Sequence, residues 1–240
     1  MARLLFLFLI PASLLASPVP DQSRALLLSV PENWNSRHAT LQIYRRDSTS
    51  SPWTAKNAPI PVNLGRRGLA WGRGLHPAQP GIQKREGDGK SPAGAFLLGN
   101  ILYGYAERSP LPGWRYRQVT DRDLWIEESS SPLYNRHLIL SAHDPFPADH
   151  HYHLMRQADP AHALKLFIRH NAPPDAKPGA GSAIFFHLCR ENDAVTTGCT
   201  SMEEPAFRTL LESFLPKDEP VYVLLPRADY SRLKDSWKLP

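Results

Sequence analysis

The sequence predicts a mainly β domain, on three observations. Twenty-four prolines and fourteen glycines interrupt the 240 residues, which leaves few places for a long helix. Apolar residues gather in short runs such as "ALLLSV", "IPVNLG" and "VYVLLP", which have the length and composition of strands. A helical period is clear in "EEPAFRTLLESF", where Phe207, Leu210, Leu211 and Phe214 fall at i, i+3, i+4 and i+7 behind Pro205 in the first turn.

In chain order, a basic start (Met-Ala-Arg), the apolar "LLFLFLI" and the small-residue exit in "PASLLASPVP" predict a secretory leader over residues 1–20. That apolar run is too short for a permanent membrane helix, and no cysteine follows it to carry an acyl anchor. Residues 21–240 then read as one domain, with no repeat and no linker dividing two cores. "ALLLSV" and "ATLQIYRR" are strands across the turn-rich "PENWNSRH", and "IPVNLG" follows the Ser/Thr-rich "RDSTSSPW". Further on, "HYHLMRQADPAHALKLFIRHN" holds a short irregular or helical piece and then the strand "ALKLFIRH". "SAIFFHLC" puts Ala183, Phe185, His187 and Cys189 on one face and Ile184, Phe186 and Leu188 on the other, a strand covered on both sides.

The excess of 28 Lys and Arg over 23 Asp and Glu is dispersed, so nucleic acid is not indicated, while a polyanionic surface such as a cell wall is compatible. Only two cysteines are present. A Cys189–Cys199 bridge would close a ten-residue interval and add little stability. Cys199 in "TTGCTSM" thus has three readings: a nucleophile, half of a disulfide, or a small buried apolar residue.

The nucleophile reading draws on its surroundings. A thiol needs a base or a positive dipole to form a thiolate at neutral pH. His187 lies twelve residues upstream on the buried strand, and the helix expected from Glu203 or Glu204 offers unpaired amides just downstream. Gly198 lets the backbone turn so that the Gly198 and Cys199 amides could face an oxyanion, with Thr197 anchoring the loop.

The stretch "SAIFFHLCRENDAVTTGCTSM", with eleven residues between His187 and Cys199, resembles the catalytic motif of the L,D-transpeptidase catalytic domain of the YkuD type. "GLAWGRG" and "KREGDGKSPAGAF" resemble the segments before it, so the likeness covers nearly all of residues 21–240. It implies a sandwich-like β fold and a periplasmic or envelope enzyme acting on peptidoglycan stem peptides through a cysteinyl acyl-enzyme, without cofactor or metal. It also implies Cys199 as nucleophile, His187 as general base and acid, and Gly198 and Cys199 as the oxyanion site. Ser201 departs from the Arg that many members carry, leaving the donor carboxylate without its usual contact. Hydrolysis on the same site, as a carboxypeptidase or an amidase releasing a wall-attached lipoprotein, and a non-catalytic wall-binding module are the alternatives.

"GDGKSPAG" ends like a phosphate loop, but position 84 is Lys where that motif needs Gly, and Pro92 blocks the helix; Asp88-Gly89 reads as a turn. The resemblance puts this loop near the cleft, with Lys90 as a substrate contact, and Asn171 could position the substrate or the histidine. His143, His150, His151 and His153 lack the spacing of a zinc site, and no metal is assigned.

Overall fold

The computed structural model describes residues 17–149, 151, 153–190 and 195–240. Residues 1–16 of the expected leader, and His150, lie outside these. Ser17 donates from its hydroxyl to the Trp237 carbonyl at 2.7 Å, and Val19 is part of the core.

The mainly β class holds: strand makes up 30% of the protein and helix 11%. The strands are β1 (Ala25–Ser29), β2 (His38–Arg45), β3 (Thr54–Ala55), β4 (Ile60–Asn63), β5 (Leu69–Trp71) and β6 (Ser91–Gly104). There follow β7 (Arg115–Gln118), β8 (Asp123–Trp125), β9 (His137–Ile139), β10 (Leu164–Ile168), β11 (Phe185–Leu188), β12 (Thr200–Met202) and β13 (Val221–Leu224). Among the described residues two α-helices, α1 (Glu204–Glu212) and α2 (Arg227–Leu233), lie late in the chain.

Hydrogen-bonded neighbours run β1-β13-β6-β10-β11-β12-β4-β2, and β2 pairs back onto β1. The sheet is therefore barrel-like, where the resemblance implies a sandwich-like arrangement. Closure leaves these strands without free edges and covers both faces of the central ones. β10 shows the consequence: all five residues of "LKLFI" are buried, the lysine included.

β6 is the axis of the sheet, pairing with β5, β7, β10 and β13 along fourteen residues. Pro92, Gly94 and Gly99 give it poor intrinsic strand character, which its partners override. Glycine is required at Gly94, because a Cβ there would sit 1.8 Å from the His76 ring. α1 buries Phe207, Leu210 and Leu211 against the sheet, as its 3.6-residue period demands.

Candidate active site

The chain enters the cysteine loop from the parallel crossover between β11 and β12, and backbone bonds pin it on arrival. Thr196 N–H donates to Leu64 O at 2.9 Å, and Arg66 N–H donates to Thr196 O at 2.8 Å. The Thr196 hydroxyl donates to Cys199 O at 2.7 Å and accepts from Gly198 N–H at 3.1 Å, closing a small turn. Ser91, the first residue of β6, donates from its hydroxyl to Cys199 O at 3.2 Å and accepts from Gly65 N–H at 2.8 Å. Gly198 adopts φ +150°, and a Cβ on it would lie 3.0 Å from Lys90 O.

These contacts revise the expected loop. Thr196 is the anchor, while Thr197 is exposed on the cleft wall. The Gly198 amide is taken by Thr196, so the Cys199 amide alone is left to face an oxyanion; among the described residues no acceptor is bonded to it. The helix does begin at Glu204, but β12 intervenes between it and Cys199. Its start lies instead beside Cys189, whose thiol donates to Glu203 Oε1 at 3.0 Å. Neither cysteine is in a disulfide, so the disulfide reading is not what the structure contains.

Cys199 is half-buried at the edge of a cleft of about 440 Å³. Its Sγ accepts from Phe185 N–H and donates to Ala183 O, each at 3.4 Å. Ala183 is held in turn: its N–H donates to Asn135 Oδ1 at 3.0 Å, and the Asn135 amide donates to the carbonyls of His170 and Asn171.

His187 stands two residues along β11 from Phe185, on the same face, paired in register with Ser201 on β12. Its Nδ1–H donates to Leu188 O at 2.7 Å, which leaves Nε2 as the acceptor nitrogen. The His162 ring stacks on it, with centroids 4.9 Å apart, and it is His162 that lines the cleft. Burial holds His187 down at about 4, and burial with repulsion from His187 holds His162 at about 3. Burial also pushes the Cys199 thiol up to about 11. At neutral pH the resting site is thus an uncharged thiol beside uncharged imidazoles.

Among the described residues six charged side chains line the cleft, and Lys165, Glu127 and Lys84 are the three whose charges act on the Cys199 thiol. Lys165 of β10 is 3% exposed and donates from Nζ to Met155 O at 2.8 Å; burial lowers its amine to about 8. Glu127 follows β8 and is exposed on the cleft rim; desolvation of its carboxyl within the cleft, reinforced by Glu86, raises it to about 7. Lys84 is buried and donates to Asp88 Oδ1 at 2.6 Å.

Lys90 and Asn171 are elsewhere. The Lys90 ammonium donates to Arg67 O at 2.6 Å and is not part of this cleft; in the same loop it is Lys84 that reaches the cleft, and Ser91 that reaches the cysteine turn. Asn171 bonds Arg73, Lys177 and Gly181, so it staples the loop after β10. Ser201 is 1% exposed and its hydroxyl is unpartnered, a position with no room for an arginine reaching substrate. His153 accepts from Glu127 N–H and donates to Asp149, and among the described residues no group of His, Cys, Asp and Glu is gathered to hold a metal ion.

Fold and site together define a mainly β protein with a thiol-bearing cleft. Comparison with known proteins adds no name to that class: no family model, no curated protein and no solved structure matches the chain.

Proposed function

We propose that the protein is an exported cysteine-dependent acyl transferase of the L,D-transpeptidase catalytic-domain type, acting on peptidoglycan stem peptides. The observation that carries this reading is the unbridged Cys199 thiol at the cleft, one strand away from His187 and on the same face, with His187 Nε2 left as a proton acceptor.

Sγ first leaves Ala183 O and turns along β11 toward Nε2, a tightening expected when substrate fills the cleft. The thiol proton passes to Nε2, and the thiolate attacks the carbonyl after the L-centre of a stem peptide. The developing oxyanion is met by the Cys199 amide, and the His187 imidazolium then protonates the leaving D-residue amine. An amine from a second stem, its proton taken by His187, attacks the thioester carbonyl; the C–S bond breaks as the cross-link forms, and the released Cys199 thiolate recovers that proton from His187. No cofactor enters these steps.

The test is incubation of the protein, without its leader, with purified muropeptides and with a carbapenem, read by intact mass and by product analysis. A covalent adduct on Cys199 and cross-linked dimers support transfer, while trimmed monomers move the assignment to hydrolysis on the same thiol. No adduct and no turnover, with Cys199→Ala identical to wild type, would leave a wall-binding module or less.

A further inference from the structure

We propose that Lys165 is the charge-compensating residue of this site: its buried ammonium balances the negative charge that Cys199 acquires when it loses its proton. The inference rests on Cys199 as the nucleophile and adds a residue that the cysteine motif does not contain.

The thiol is poorly served by the groups near it in sequence. The amino end of α1 lies beyond β12, the Gly198 amide is occupied by Thr196, and His187 is uncharged at rest. Negative charge on sulfur in a buried pocket is costly without a nearby cation. Four Lys or Arg side chains line the cleft. Lys84 is ion-paired to Asp88 and Arg190 to Asp159, while Arg66 is exposed. Lys165 is the remaining one, and it is enclosed.

Its placement follows from the sheet. β10 pairs with β11 so that Lys165 lies opposite His187, and its Nζ sits 5.3 Å from the centre of the Phe185 ring. Phe185 is also the residue whose N–H reaches Sγ. An ammonium has three protons to donate, and among the described residues Lys165 uses one, on Met155 O. No carboxylate of the described residues forms a salt bridge with it. The nearby acids are Asp123, already held by Arg117 and His137, and Glu127 on the cleft; the other titratable neighbours are Tyr103, paired with Lys165 in register on β6, and Cys199, His162 and His187. A lysine buried at this cost in a strand of otherwise apolar residues needs a charge to answer, and the thiolate is the charge this cleft produces. Burial lowers its amine to about 8, with Cys199 the leading opposing influence, so at pH 7 it still carries its proton.

In the step concerned, the proton leaves Sγ for His187 Nε2, the bonding pair stays on sulfur, and Lys165 keeps all its protons. Thiolate is then measured directly, by the rate of Cys199 alkylation with iodoacetamide across pH, followed on the peptide that carries it. Losing the ammonium should slow Cys199 alkylation in Lys165→Met about tenfold at pH 7, where the wild-type amine is charged, and the gap should close above about pH 8 as that amine loses its proton. Lys165→Arg should keep the wild-type rate at pH 7 closely, and Glu127→Gln, which removes an opposing anion, should raise it. A Lys165→Met protein that folds and is alkylated at pH 7 like wild type overturns the proposal. Should that variant not fold, the reciprocal measurement decides: Cys199→Asp holds a negative charge where the thiolate forms, so it must raise the Lys165 midpoint followed by NMR of its Cε. An unchanged midpoint there overturns it equally. A wild-type protein that ignores muropeptides and carbapenems, with the slower Lys165→Met alkylation present, removes the transferase reading and leaves the charge assignment standing.

Discussion

His162 lies flat on His187, with ring centroids 4.9 Å apart and planes 22° apart. The upper ring faces the cleft and the lower one is 7% exposed, so His162 is the roof that keeps the candidate base dry. Burial is the main cause of the low His187 value, and removing the roof weakens that cause. His162→Ala should therefore raise the His187 midpoint from about 4 toward the ordinary imidazole value of about 6.5. The shift is read by proton NMR of the ring, and an unmoved midpoint would show that the roof does not control solvation of His187.

Thr196 and Thr197 make a paired test of the cysteine turn. The Thr196 hydroxyl makes both turn-closing bonds, whereas the Thr197 side chain is exposed. Losing two hydrogen bonds at a buried turn costs on the order of 1–3 kcal/mol. Thr196→Val should be destabilised by about that amount, with Thr196→Ser close to wild type. Thr197→Val should change stability by less than about 0.5 kcal/mol. Urea unfolding of the three variants compares them, and equal losses at both positions would contradict the assignment.

Gly198 is the strictest position in the turn. A side chain there meets Lys90 O at 3.0 Å and must hold φ +150°, a region L-residues rarely occupy. Gly198→Ala should cost about 1–3 kcal/mol through backbone strain. The loss should be accompanied by faster exchange of the Gly65 amide, which donates to Ser91, the residue that also donates to the Cys199 carbonyl. Unchanged stability would mean that the turn adopts another conformation at little cost.

Much of this site is unreadable along the chain for a physical reason. The strand carrying His187 announces itself as an unbroken apolar run, with Phe185, Phe186 and His187 all buried, and the helix from Glu204 by its period, since Phe207, Leu210, Leu211 and Phe214 are buried at spacings of three to four. β12 has three residues, too few for any period, and missing it brings the helix end wrongly up to Cys199. Thr196 and Thr197 are chemically equal in sequence; only the bridge of Thr196 to Gly65 distinguishes them. Lys165 sits in a strand that is legible, yet a strand lysine reads as solvent-facing until the sheet closes around β10. His162 and Glu127 reach the cleft from segments more than thirty residues apart, a juxtaposition set by topology alone.

Acid should weaken the fold in two stages. His162, His187 and His170 are held at about 3, about 4 and about 3, chiefly by burial. Each is neutral in the folded chain while its unfolded counterpart takes up a proton near pH 6.5, so stability falls as pH drops below about 6.5 toward those folded values. Asp123 acts lower. Its burial favours the protonated form, but hydrogen bonds from His137, Arg117 and Thr120 outweigh that and leave the carboxyl below the usual carboxylate range. Its stabilisation is present above about pH 4 and is lost as pH falls further. His162→Phe keeps a ring stacked on His187 and removes one titrating group, so between about pH 7 and about pH 5 it should lose roughly 1–2 kcal/mol less than wild type. Asp123→Asn should be less stable at neutral pH by about 3 kcal/mol, because Arg117 and His137 lose a buried partner, with a shallower decline below pH 4. Urea unfolding at pH 7, 5 and 3.5 separates the stages; a His162→Phe profile parallel to wild type throughout would mean that His162 takes up its proton in the folded state as readily as in the unfolded chain.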